Sequence, residues 1–132
     1  HNLPMSIIEF ITGHHGTSVM TYFYDKAQKD WGTGADIREF QYPGPNPRSK
    51  EVAIVMLADS VEAASRTLDD PKPSRIRNLV HKIFMNKFDT GLLENSYLTL
   101  RDLKKIEDSF VRILIAFHHR RIKYPEKKEV PT

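Results

Sequence analysis

The sequence contains no cysteine. That one absence excludes disulfides, thiolate metal sites and cysteine nucleophiles, and it is compatible with a reducing compartment. No apolar run approaches the roughly 18 residues that a bilayer crossing needs. The basic start and apolar stretch of a signal peptide are missing too. The chain opens on His1 rather than methionine, so its beginning reads as a cut point. Neither sign of charge is in large excess. The formal net charge of +3 slightly favours an anionic partner and does not by itself indicate a DNA or RNA polymer. Glycine-rich phosphate loops of the Walker or Rossmann type are absent, as is a nucleophile elbow. There is no internal repeat and no low-complexity tract.

What remains is about one domain of chain, 132 residues long, with 39% hydrophobic residues to form a core. The pattern is helical throughout. Leu3 to His15 carries Met5, Ile8 and Ile11 at helical spacing, with Pro4 suited to the first turn and Gly16 to a stop. Thr17 or Ser18 can cap a second helix running to about Asp30. Residues 31–48 hold three glycines and three prolines and predict a long irregular loop. Loops of that length in compact domains are often functional. Ser49 can cap a third helix, the most apolar of the chain, which PKP after Asp70 ends. Ser74 starts a fourth, closed by Gly91. Thr99 opens a fifth that runs to about Tyr124, and Thr99 with Asp102 forms a capping box with a short acid. Pro125 stops it, and residues 125–132 predict a frayed, charged tail. No hairpin pattern is present. The expectation is an all-α bundle of about five helices.

Three places could carry chemistry. Asp59 lies inside VAIVMLADSVEAAS, in the most apolar helix. A carboxylate buried there needs a partner, and Arg66 is within reach along the helix. A functional role stands equally open. The second place is GHHGTS. His14 and His15 read either as polar residues ending a helix or as neutral imidazoles that bind a metal with a carboxylate from elsewhere. Such a sulfur-free site suits Mn, Fe, Co or Zn. The third is His118 and His119, which sit among Arg120, Arg121 and Lys123 and so read as structural or surface residues. His81, in a basic helix, reads as solvated or packed.

Three segments bear a specific resemblance: EFITGHHGTSVMTYFYDKA, FQYPGPNPRSKEVAIVMLADSVEAASR and LTLRDLKKIEDSFVRILIAFHHRRIKYP. Together they resemble the HD-domain hydrolases, and more narrowly the cytoplasmic domain of seven-transmembrane HD proteins, the PgpH-type cyclic-di-AMP phosphodiesterases. The resemblance covers nearly the whole chain. It implies an HD-domain-like helical bundle that hydrolyses cyclic di-AMP to pApA on two divalent transition metals, Mn or Fe foremost. Such a centre binds the phosphate and supplies the hydroxide nucleophile. By this resemblance His14 and His15 are ligands of one metal and Asp59 of the other. Arg66 would face the substrate phosphate, Tyr42 would shape the nucleotide pocket, and Thr17 and Ser18 would offer hydroxyls nearby.

The sequence departs from the family in one respect: it has no His-Asp dipeptide. In the family that pair lies upstream of the HHG segment. The chain therefore resembles the C-terminal part of a single HD domain, residues 1–132, with the N-terminal helices of the full domain missing. By itself it is expected to hold an incomplete metal site and to hydrolyse nothing at a useful rate. The parent is expected to be membrane-anchored with this domain on the cytoplasmic side, while the chain carries no membrane segment. Loss of the first helices should expose apolar surface that association into an oligomer could cover. The rival expectation is a non-catalytic helical interaction module, in which Asp59 pairs with Arg66 and the histidines face solvent.

Overall fold

A computed structural model describes residues 2–122. The predicted frayed tail, 125–132, lies outside the described residues. Among the described residues the chain folds into five α-helices: α1 (Met5–Gly13), α2 (Thr21–Trp31), α3 (Lys50–Ser65), α4 (Pro73–Asp89) and α5 (Leu100–Ile122). The fold is all-α, as the periodicity predicts.

Helix α3 is the centre of the bundle because apolar residues surround much of its circumference. It packs on α4 along one side and on α1 along another, while α5 covers α4. Leu57 and Val61 of α3 interlock with Ile76, Val80 and Phe84 of α4, all nearly solvent-free. From α5, Leu103, Ile106, Phe110 and Leu114 close over them, with Phe110 edge-on to Phe84 at 5.7 Å. Each such side chain contributes about 1.5–3 kcal/mol by leaving water. A second cluster, Ala53 and Met56 with Leu92 and Leu93, fixes the turn after α4 against α3.

The helix starts divide into those the sequence places and one it misplaces. Ser49 caps α3, its Oγ accepting from the Val52 N–H at 3.3 Å. The Thr99–Asp102 capping box is complete in both directions, each bond 3.0 Å. The short acid therefore suffices. Asp102 also meets Lys50 at 3.0 Å, linking the first turns of α3 and α5. These contacts hold its carboxyl down at about 2, the Thr99 N–H being the larger cause and Lys50 the next.

Helix α2 begins at Thr21, later than a cap at Thr17 or Ser18 implies, and Met20 precedes it without a side-chain cap. The reason is that both hydroxyls are committed elsewhere. Thr17 donates to Asn46, and Ser18 accepts from Lys87. Residues 18–20 instead run extended beside 40–42, with Tyr42 N–H donating to Ser18 O at 3.0 Å and Met20 N–H to Phe40 O at 2.6 Å. The loop 31–48 is less irregular than its composition suggests, since it includes 3₁₀ turns at Gly32–Gly34 and Ile37–Phe40. Helix α1 is shorter than the expected span of Leu3 to His15, and it leaves Leu3, Met5, Ile7 and Ile11 exposed.

Candidate metal centre

The GHHG segment is the C-terminal end of α1. Gly13 is buried against α3, where an added Cβ would stand 3.1 Å from Val52 Cγ1. Gly16 reverses the chain with φ of 54°. An added Cβ there would lie 2.6 Å from Asn46 Oδ1 and 2.8 Å from Met56 Cε, so only glycine fits both the turn and the space. The helix ends between these glycines, and the two histidines escape the 100° divergence of successive helical residues. Their ring centroids are 4.0 Å apart.

Each ring is fixed by a different contact. His14 Nδ1 lies 2.7 Å from the Phe10 carbonyl oxygen. A carbonyl can only accept, so Nδ1 carries a proton; in the neutral ring this leaves the lone pair on Nε2, the tautomer a metal ligand needs. His15 is stacked on Tyr42, centroids 4.2 Å apart and planes within 8°. Burial lowers the His15 pKa and the neighbouring His14 lowers it further; Asp59 acts in the opposite sense, and the charge of Lys87 again lowers it. The net effect favours neutral imidazole, the form that binds metal.

From α3, Asp59 approaches this pair, its Oδ2 3.9 Å from His15 Nδ1. That is too long for a hydrogen bond and leaves room for something between them. One ligand atom from each of His14, His15 and Asp59 lies within 4.8 Å of the others. Two imidazoles and a carboxylate without sulfur form a donor set that fits Mn, Fe, Co or Zn.

The remaining residues read from the sequence fall in other positions. Asp59 is not buried by its apolar helix; its side chain is 53% exposed, on the side of α3 that faces His15. Arg66 does not pair with Asp59. It ends α3 and holds Glu62 at 2.6 Å, two turns beyond Asp59 on the same face. Thr17 gives both its N–H (2.9 Å) and its hydroxyl (3.1 Å) to Asn46 Oδ1, fastening the turn to the Pro-rich loop. Away from the cluster, His81 meets Glu107 at 2.7 Å, and His118 is buried beside the ring of Phe117.

Two residues of this region escaped the sequence reading. Asn46 looks like one more turn residue in PGPNP. Lys87 looks like a solvated lysine of a basic helix, yet it is half-buried and donates to Ser18 Oγ at 3.1 Å. Burial lowers its pKa below the usual lysine range, with Asp59 partly opposing. No local pattern distinguishes Lys87 from its neighbours; only the folded chain brings it to Ser18.

The chain is 41% identical over 126 residues to the cyclic-di-AMP phosphodiesterase PgpH of Bacillus subtilis. It is 35% identical over 131 residues to PgpH of Listeria monocytogenes. These alignments cover 96% and 98% of the chain. A crystal structure of the L. monocytogenes PgpH HD domain in complex with cyclic di-AMP superposes with a TM-score of 0.82, at 32% identity. The chain is similar in sequence and in fold to part of the PgpH HD domain. No family model matches it. The chain spans 18% of the length of these curated relatives, while the superposition covers 87% of this chain and 53% of the crystallised PgpH HD domain. The five-helix bundle is accordingly HD-domain-like.

Proposed function

We propose that this chain is the C-terminal part of a single HD domain that hydrolyses cyclic di-AMP to pApA with divalent metal. The observation that carries the reading is the convergence of His14, His15 and Asp59 from two helices onto one point. The 35–41% identity to PgpH phosphodiesterases supports the substrate. His14 through Nε2 and His15 would hold one metal and Asp59 the other, Mn or Fe, in a two-metal centre. When bound, such metals supply positive charge to the phosphate and activated water at neutral pH.

The chain's own residues prepare that chemistry. The Phe10 carbonyl orients His14, and the face of Tyr42 holds the ring of His15. The exposure of Asp59 leaves the cluster open to a large substrate. Arg66 lies along the same face of α3 within reach of a dinucleotide phosphate, and Thr17 lines a cleft beside the turn. With no His-Asp dipeptide in the sequence, the second metal draws ligands from another part of the domain. The uncovered apolar side of α1 is suited to receive that part. In the parent protein the domain lies on the cytoplasmic side of a membrane anchor, although no described helix here is long and apolar enough to cross a membrane. The interaction-module reading lacks its key contact, because Arg66 holds Glu62 and not Asp59.

The test is metal analysis and cyclic di-AMP hydrolysis in the complete protein, wild type beside D59A. Manganese- or iron-loaded wild type should release pApA. D59A should lose metal and more than the roughly 10- to 100-fold in metal affinity or activity that a supporting residue costs. A folded, metal-loaded wild type that leaves cyclic di-AMP intact would sink the assignment.

A further inference from the structure

A cleft of about 260 Å³ opens beside the GHHG turn, between the start of α2 and the end of α4. Thr17, Ser18, Gln41, Asn86, Lys87 and Thr90 line most of it, and among the described residues none that lines it is acidic. The cleft adjoins the metal cluster directly: the Ser18 N–H donates to the His15 carbonyl at 3.0 Å.

Among the described residues Lys87 is the only charged one lining this cleft. Its ammonium has three donors, and one is used, on Ser18 Oγ. Among the described residues no carboxylate comes within ion-pairing distance of it. Asp59 favours the Lys87 charge only from beyond ion-pairing distance, so a half-buried cation with no direct ion pair gains from an anion that arrives to meet it. Ser18 accepts from Lys87, so its own O–H proton is left to donate. Two ammonium protons and one hydroxyl proton are therefore free to serve a small cleft with no acidic lining among the described residues, next to the candidate metal ligands. That is the donor arrangement of a phosphate-oxygen site. The volume suits a phosphate with part of its sugar and is below the roughly 300–1,000 Å³ of whole-ligand pockets.

We propose that Lys87 and Ser18 bind a second phosphate of the substrate, the phosphodiester that is not at the metals. The inference rests on the phosphodiesterase reading above and deepens it. A cyclic dinucleotide carries two phosphodiesters, so one can occupy the His14, His15 and Asp59 centre while the other is held here. Lys87 thus selects substrates with two phosphates rather than one.

The test uses the metal-loaded complete protein with K87M, which keeps the length of the side chain, K87R and S18A. K87M should weaken cyclic di-AMP binding roughly 10- to 100-fold and S18A roughly 3- to 10-fold. Metal content should stay at the wild-type level and kcat should change much less than KM. K87R should recover most of the binding. Unchanged binding in K87M overturns the proposal. Loss of metal in K87M overturns it as well, because Lys87 would then support the ligands instead of the substrate. Should wild type fail to bind cyclic di-AMP, the substrate assignment falls and inorganic phosphate becomes the probe. Phosphate binding that K87M abolishes keeps the Lys87 site; binding that K87M leaves intact, or none at all, removes it.

Discussion

The α3–α4–α5 core and the pair of loops around the GHHG turn are built on different principles. The core is held by apolar side chains at helical spacing, and each contact is one of many. The loop region is held by a few specific polar contacts: Thr17 on Asn46, Tyr42 N–H on Ser18 O, Ser18 with Lys87, and the His15–Tyr42 stack. Losing one core contact weakens the whole molecule and leaves the arrangement of the loops unchanged. Losing a contact that seats the turn, such as Thr17 on Asn46, should leave the molecule standing and shift a candidate ligand. Stability is thus spread over many residues, whereas the site depends on few.

The comparison can be broken most forcefully from the core side. Ile76 is 1% exposed and sits at the far end of α4 from Lys87. I76A should cost about 2–5 kcal/mol of stability, read by denaturant unfolding, while metal content at low denaturant stays normal. A core change that empties the metal site without unfolding would mean the two regions are not separable.

Asn46 sharpens it from the other side. N46A leaves the Thr17 N–H and hydroxyl without their acceptor and should cost about 1–3 kcal/mol. Its effect on metal binding should exceed that of I76A although its effect on stability is smaller. Equal metal affinity in N46A and wild type would show that the turn holds itself.

The smallest effect lies at the start of α5. Asp102 has its carboxyl held at about 2, below its ordinary 3.8. A depressed carboxylate stabilises the fold above its unfolded pKa, and the contribution fades as pH falls through 3.8 toward 2. D102N should therefore melt below wild type at neutral pH, and the gap should close on acidification across that window. A gap that persisted at pH 2 would mean Asp102 acts through something other than its charge.

The same division explains what was legible in the sequence. The three long helices follow from periodic apolar residues, and Ser49 and the Thr99–Asp102 box mark their starts by local chemistry. His14, His15 and Asp59 were named from the sequence and lie together in the fold. Other features depend on contacts between distant segments, which leave no local pattern. The start of α2 was misplaced because the Thr17 and Ser18 hydroxyls are occupied by Asn46 and Lys87. An apolar helix predicts a buried Asp59, yet its own side of that helix faces the histidines and solvent. Asn46 and Lys87 went unnoticed because their meaning lies wholly in their partners.

Helix α1 contributes a single buried residue, Gly13, and carries most of its apolar side chains outward. Its grip on the bundle is weak, yet the turn that follows it presents His14 and His15 to Asp59 of α3. A two-metal centre shared by these residues would act as a cross-link as well as a reagent, pinning a loosely seated helix to the centre of the molecule. Chelation would then loosen α1 first, and the candidate centre and the architecture around it would come apart at the same rivet.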